Sequence, residues 1–325
     1  MEKRRLGRSG IELLPLGMGC WAIGGPFIYG NIQAGWGTVD DRESIRAIHK
    51  AYDSGIRLFD TAAAYGTGHS ERILGKALAD RRDQVIIATK FGFAIDASAK
   101  HVGYYPAPED VITNLRAECE RSLRHLGTDY IDLYQLHVND YPLDYAERLR
   151  DALEMLVMQG KIRYYGWSTD STEAALLFAE EEHCTAIQHD LNVALDASAM
   201  LAVCEQNHMA SLNRTPLARG ALTGKYTRST IFSADDVRSD DWARQHILLP
   251  AFDRLDALRD ILTSGGRTLA QGALAWIWAR SPNTIPIPGM RTEAQVEENV
   301  GALRFGPLTD DQMREIDALI YRAAA

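Results

Sequence analysis

Short runs of β-branched and apolar residues alternate with longer segments of helical periodicity along nearly the whole chain, and this alternation restricts the fold more than any other feature. Repeated strand and helix units of this kind build a parallel sheet covered by helices. Candidate strands fall at residues 14–18, 58–59, 85–89, 131–136, 164–167, 186–188, 209–212 and 285–287. Between them, segments 41–54, 108–126, 145–160 and 172–182 return apolar residues every three or four positions and carry acids near their starts, as amphipathic helices do. A last helix opens at Thr309, with Gln312 placed to complete a capping box, and no long tail follows it. Eight such units predict an α/β fold: a single (β/α)8 TIM barrel with an N-terminal strand or hairpin and long loops at its C-terminal face.

The chain has 325 residues, a length that two domains could fill, but α/β barrels also reach it as one unit. No repeat, low-complexity tract or Pro-rich linker divides it, so one domain over 1–325 is expected. Connections 24–38, 91–108 and 225–242 are too long, and too aromatic or polar, to be mere turns, and belong on the active face of a barrel.

The net charge of −9 comes from acids and bases mixed along the chain, with no basic block to follow a phosphate backbone, so nucleic acid is not expected as a partner. Residues 11–17 form only a short apolar stretch after the charged start, and no later run reaches spanning length, so no membrane partner and a cytoplasmic location are expected. Cys20, Cys119, Cys184 and Cys204 are widely separated, and the nine histidines show neither His-x-His nor His-Glu-x-x-His spacing; no metal is expected. No heptad or swapped segment indicates an oligomeric state.

Two nucleotide motifs fail on inspection. Gly17-Met18-Gly19 is followed by Gly24, two places beyond where a dinucleotide fingerprint needs its third glycine, and Gly220 to Lys225 is one residue short of a P-loop and leads into Tyr226. Asp60, Lys90 and His137, by contrast, stand at the carboxyl ends of three consecutive candidate strands, with Tyr65 in the connection after Asp60. That is the face where barrel enzymes carry their chemistry. Reducing a carbonyl builds negative charge on oxygen, which a proton donor and fixed dipoles must meet. Tyr65 can donate; a Lys90 ammonium held by Asp60 would favour the phenolate, and His137 could orient the substrate oxygen. Taken singly, each has a plainer reading as a turn former, a solvated charge or core packing. The four together point to catalysis.

These segments resemble the aldo-keto reductase family from residue 5 to about residue 318. Arg57-Leu58-Phe59-Asp60-Thr61-Ala62, with Tyr65-Gly66 and Ser70-Glu71, matches the family's first catalytic block; Ala88-Thr89-Lys90 supplies the lysine and the run from Asp129 through Tyr134-Gln135-Leu136-His137 the histidine. The resemblance implies hydride transfer from NADPH to an aldehyde or ketone, with Tyr65 as proton donor. It also implies that Gly19, Cys20, Trp21, Asp60 and Gln188 sit near the nicotinamide, with Ser168 on its carboxamide. Thr169 stands where the family usually has Asn. Arg214, Thr215, Pro216, Leu217, Arg219, Gly220 and Lys225 are similar to the loop along the pyrophosphate. Gly289, Arg291, Gln295, Glu298 and Asn299 resemble the adenosine end, where an arginine fork suits a 2′-phosphate and favours NADPH over NADH.

Two other readings stand beside this one: a dehydrogenase that oxidises an alcohol or sugar with the same machinery, and a non-enzymatic nucleotide-sensing accessory subunit, whose representatives tend to have Asn where this chain has His137. A small carbonyl compound is the expected partner of the reductase. Trp21, Phe27, Tyr29, Trp36, Tyr104 and Tyr105 are expected around its mouth, an aromatic wall suited to flat, apolar or sugar-like carbonyls. Connection 225–242 is expected to serve as the lid.

Overall fold

A computed structural model describes residues 1–324, so position 325 lies outside the described residues. In chain order the elements are β1 (Arg4–Arg5), β2 (Glu12–Leu13), β3 (Met18–Gly19), β4 (Ile28–Tyr29), β5 (Ile32–Gln33), α1 (Asp41–Asp53), β6 (Leu58–Asp60), α2 (His69–Leu78), β7 (Ile86–Phe91), β8 (Ala94–Asp96), β9 (His101–Gly103), α3 (Pro108–Leu126), β10 (Ile131–Leu136) and α4 (Leu143–Met158). There follow β11 (Ile162–Ser168), α5 (Thr172–Ala179), β12 (Cys184–Asp190), α6 (Ser198–Gln206), β13 (Ala210–Arg214), α7 (Asp241–Ala243), α8 (Leu249–Thr263), α9 (Leu269–Arg280), β14 (Thr284–Pro286), α10 (Glu293–Gly301) and α11 (Asp310–Ala324).

Eight strands form one parallel sheet in the order β14-β13-β12-β11-β10-β7-β6-β3. Its two outer strands meet: Gly17 N–H donates to Pro286 O at 3.0 Å, Gly19 N–H donates to Pro288 O at 2.9 Å, and Gly19 bridges Gly289 in parallel. A side chain at Gly19 would come within 2.5 Å of Ile287 O, so the two backbones could not approach this closely with any other residue there. The arrangement fits a (β/α)8 barrel. The antiparallel pair β1–β2 precedes it and sends Leu6 and Leu13 into a buried cluster with Leu58, Ala88, Leu133, Ala186, Leu212 and Ile285.

Helix starts follow local chemistry. Asp40 accepts from Arg42 N and Glu43 N at 2.8 and 3.2 Å, satisfying free donors of α1. Thr309 and Gln312 exchange reciprocal bonds of 2.9 and 3.3 Å ahead of α11, the capping box read in the sequence.

Most strands run one or two residues beyond their sequence-based limits, because ladder pairing with two neighbours extends them. The first is instead shorter: 14–18 is expected, but the strand is Met18–Gly19, since Pro15 has no N–H for a ladder and Leu16 N–H turns back to Leu14 O at 2.7 Å. Helix α5 likewise stops at Ala179, short of the expected 182. Connections 24–38 and 91–108 are not coil. They supply β4, β5, β8 and β9 to a second, four-stranded sheet in the order β5-β4-β9-β8.

Candidate active site

Side chains of a strand alternate between its two faces. Leu58, Ala88, Leu133, Ala186 and Leu212 point into the barrel, so two residues further on the same faces carry Asp60, Lys90, Gln135, Gln188 and Arg214 at the carboxyl ends of their strands. Apolar layers thus give way to a polar layer at one end. His137, two beyond Gln135, is anchored by its own N–H to Phe91 O at 2.8 Å.

The structure brings together the four residues expected to do chemistry. Lys90 Nζ donates to Asp60 Oδ1 at 2.6 Å, to Thr61 O at 2.8 Å and to Tyr65 Oη at 3.2 Å. Asp60 Oδ2 accepts from Gln188 Nε2 at 2.8 Å and Gln135 Nε2 at 3.2 Å. The tyrosine ring meets His137 edge-on at 5.8 Å and stacks on Trp21 at 5.9 Å between centroids.

Tyr65 holds its place because the turn beneath it is fastened on two sides. Thr61 Oγ1 donates to Ser70 Oγ, which donates to Cys20 O, both at 2.8 Å. Gly66 adopts φ +58°, and a Cβ there would fall 1.7 Å from Gly24 O, so only glycine lets this turn press against the first loop. Buried Glu71 accepts from Thr89 Oγ1 at 2.7 Å and meets His125 Nδ1 at 3.0 Å, tying α2 to the lysine strand and α3.

Burial opposes the Lys90 charge, but the Asp60 carboxylate and Tyr65 outweigh it and raise its pKa, so the ammonium persists at neutral pH. Tyr65 departs from expectation. Its pKa is raised, because burial outweighs the downward pull of Lys90. The phenol therefore keeps its proton, as a donor must, and the phenolate is not favoured in this state. Burial, then the charges of Lys90 and Arg214, push His137 well below its ordinary value, which leaves a neutral imidazole. Its Nδ1 has no hydrogen-bond partner among the described residues.

The quartet opens into a cavity of about 660 Å³. Every residue expected at a cofactor lines it except Cys20 and Thr169. Cys20 is fully buried, its thiol toward Met18 O. Thr169 is also fully buried, and its hydroxyl is engaged within the protein: it donates to Asn139 O at 2.8 Å and accepts from Ser171 N at 3.1 Å. Of the expected aromatic wall, Trp21, Phe27, Tyr29, Trp36 and Tyr104 line the cavity, whereas Tyr105 turns away to donate to Glu118 Oε1 at 3.0 Å.

Arg214 spans three strand ends. Its Nη1 donates to Ser168 Oγ at 2.9 Å, its Nε lies 3.1 Å from Asp190 Oδ1, and its Nη2 donates to Asp170. Further along the cavity stand the cations Arg219, Lys225, Arg238 and Arg291. Lys225 pairs with Glu298 at 3.0 Å; Arg291 Nη1 donates to Trp36 O at 3.1 Å while its N–H donates to Gln295 Oε1 at 2.8 Å. Buried Arg219 Nε has no partner among the described residues. A cavity with this much positive charge and a free buried donor fits a dinucleotide bearing phosphates.

Connection 225–242 crosses the cavity to the first loop. Asp236 bridges Trp36, Val237 N–H donates to Gly35 O at 2.8 Å, and Asp236 grips Arg238 by bonds of 2.8 and 2.6 Å. Arg238 packs over Trp36, Tyr226 and Phe232. Sequence reasoning missed Gln135, Asn139, Asp190 and Arg238. The strand period of two would have found Gln135 from His137 and Asp190 from Gln188, while the other two lie in loops that carry no such signal.

Among the described residues, no group of three or more His, Cys, Asp or Glu is placed to hold a metal ion, and no helix is long and apolar enough to cross a membrane. Residues 15–321 match the aldo/keto reductase family. The chain is 34% identical to aldo-keto reductase YhdN of Bacillus subtilis, covering 98% of this chain and 94% of that one. It is 31% identical to an NADH-specific methylglyoxal reductase of Escherichia coli, covering 100% and 98%. Among solved structures it resembles the glycerol dehydrogenase AKR11B4 from Gluconobacter oxydans, with 32% identity, a TM-score of 0.82 and coverage of 99% and 95%. With the match running from the first barrel strand into the last helix, the chain belongs to the aldo/keto reductase family.

Proposed function

We propose that this protein reduces an aldehyde or ketone with NADPH, Tyr65 giving the proton. The observation that carries the reading is the hydrogen-bonded run from Asp60 through Lys90 to Tyr65, facing a neutral His137 across the mouth of the cavity. When bound, the nicotinamide supplies the hydride. The chain's own residues do the rest. Tyr65 delivers its proton as charge grows on the substrate oxygen, Lys90 stabilises the phenolate left behind, and Asp60, held by Gln135 and Gln188, keeps the lysine charged. His137, being neutral, orients the oxygen by hydrogen bonding without repelling the Lys90 ammonium.

Arg291 with Gln295, Glu298 and Asn299 would hold the adenosine end, and Arg214, Arg219 and Lys225 the phosphates. A 2′-phosphate would use the guanidinium donors that Trp36 O leaves free. The aromatic wall of Trp21, Tyr29, Phe93 and Tyr104 suits flat or apolar carbonyls. Connection 225–242 acts as the strap over the bound nucleotide.

The test is loss of NADPH absorbance with a panel of aromatic and aliphatic aldehydes, diketones and keto-sugars, run in parallel with NADH. Turnover favouring NADPH supports the reading. Turnover with NADH alone, as the name of the Escherichia coli relative states for that protein, would remove the 2′-phosphate role from Arg291. Likeness to a glycerol dehydrogenase favours a second reading, oxidation of an alcohol, which faster NADP+ reduction with polyols would establish. Tight NADPH binding without turnover in either direction would indicate a nucleotide-sensing role.

A further inference from the structure

The aromatic wall beside His137 is carried by an excursion of the chain between β7 and α3. Phe93 packs on the His137 ring at 5.1 Å; Tyr104 meets Phe93 at 5.5 Å and Tyr29 at 6.0 Å. Tyr104 is 59% exposed and Phe93 8%, so the outer ring of the wall is open to solvent while the inner one is packed against the histidine. Their positions depend on the pairing of β8 and β9 with each other and with β4, and on how the two ends of the excursion are fastened to the barrel.

Both ends reach one carboxylate. Glu118, on the inner face of α3, is 1% exposed. Its Oε2 accepts from Gly92 N at 3.2 Å, one residue beyond β7 and two beyond Lys90. Its Oε1 accepts from the Tyr105 hydroxyl at 3.0 Å, immediately after Tyr104. Arg121, one turn along the helix, adds a weaker contact to Oε2 at 3.4 Å. A buried carboxylate carries a large desolvation cost, and this one lies outside the catalytic quartet.

We infer that Glu118 is a positioning residue for the carbonyl substrate, holding segment 93–104 so that Phe93 and Tyr104 present a fixed wall to His137. The inference deepens the reductase reading above and rests on it. It assigns substrate fit to a side chain that touches neither substrate nor cofactor. Loss of either tether loosens the wall while Asp60, Tyr65, Lys90 and the phosphate-binding cations keep their contacts.

The pH dependence of the tether follows from its surroundings. Burial pushes the Glu118 carboxyl up to about 7, while the Gly92 N–H, Arg121 and Tyr105 pull it down and Glu71 pushes it up. The charged and titratable groups facing it are Arg121 of its own helix, Tyr105 of the excursion, Tyr134 of β10, and Glu71 of α2, which is paired with His125 of α3. Below neutrality the carboxyl gains a proton, and both tethers lose the charge assistance of the carboxylate.

The experiment compares wild type, Glu118→Gln and Tyr105→Phe, using an aromatic aldehyde for turnover and NADPH fluorescence for cofactor binding. Hydrogen exchange of segment 93–104 is followed in each. An amide can keep both tethers, its oxygen accepting from the Gly92 N–H and its NH2 donating to the Tyr105 hydroxyl, but neither has the charge assistance of a carboxylate, so the aldehyde KM should rise about threefold in Glu118→Gln. Tyr105→Phe removes one tether outright and should raise KM further, about tenfold, with kcat and NADPH Kd within about twofold of wild type in both. In wild type KM should rise as pH falls through neutrality, and in Glu118→Gln that dependence should flatten. Exchange should quicken within 93–104 alone. An unchanged KM in folded Tyr105→Phe, or an equal loss of NADPH affinity, would overturn the inference. If Glu118→Gln does not fold, Tyr105→Phe decides by the same criteria. If the wild-type enzyme reduces no carbonyl, the reductase reading fails, and exchange still judges the tether: acceleration confined to 93–104 supports it, and uniform or absent acceleration rejects it.

Discussion

Arg214 Nη1 donates to Ser168 Oγ at 2.9 Å, so the hydroxyl expected to meet a nicotinamide carboxamide is itself oriented by a cation. With its oxygen engaged as acceptor, Ser168 has its own proton free to donate. Two carboxylates, Asp170 and Asp190, hold the guanidinium in turn. Replacing Arg214 by Ala should strip all three groups of a partner and weaken NADPH binding by about tenfold or more. Fluorescence titration reads this directly; wild-type affinity in the variant would remove Arg214 from the cofactor site.

Tyr65→Phe keeps the ring stacked on Trp21 and removes only the hydroxyl. The expected loss in kcat is roughly 10²- to 10⁴-fold, the usual worth of a positioned proton donor, with cofactor affinity nearly unchanged. Near-wild-type turnover would assign the proton to another group.

The Lys90–Asp60 pair is almost completely buried, so removing one partner leaves the other charge stranded. Lys90→Met should destabilise the fold by about 3 kcal/mol, the low end for a broken buried pair, because Gln135 and Gln188 still donate to Asp60. Asp60→Asn in the same chain should restore part of that stability but not activity. Denaturant unfolding of the single and double variants measures the coupling.

Stability should also carry a signature of Glu118. Its carboxyl titrates near 4.5 when free and at about 7 when folded. Between those values the folded state binds the extra proton, so the contribution of Glu118 to stability is greatest below the lower value and declines as pH rises through the upper one. Wild type should therefore lose stability relative to Glu118→Gln between pH 5 and pH 8, on the order of 2 kcal/mol. Paired melting curves at the two pH values test the sign; a constant difference would place the carboxyl's titration outside this range.

Asp236→Ala should release Arg238 and loosen the strap where it meets Trp36. NADPH should then leave several-fold faster in stopped flow, while its association rate changes less. An unchanged departure rate would mean that the strap does not retain the nucleotide.

Much of this was legible in the residues alone. Alternating apolar runs and helical periods specify repeated strand and helix units, and the place of Asp60, Lys90 and His137 after their runs specifies which end of the sheet they share. Such signals are local. They arise from side chains repeating every two residues along a strand or every three to four along a helix, and they survive in one dimension. Tertiary contacts decided the rest. Connections 24–38 and 91–108 become a sheet only because β4 and β9 meet across a separation no local period encodes. Tyr105 faces Glu118 instead of the cavity, Cys20 and Thr169 bury their polar atoms, and burial outweighs Lys90 in setting the tyrosine proton. Each outcome depends on which distant groups share a small volume and how much water they exclude, which a sequence specifies only through the completed fold.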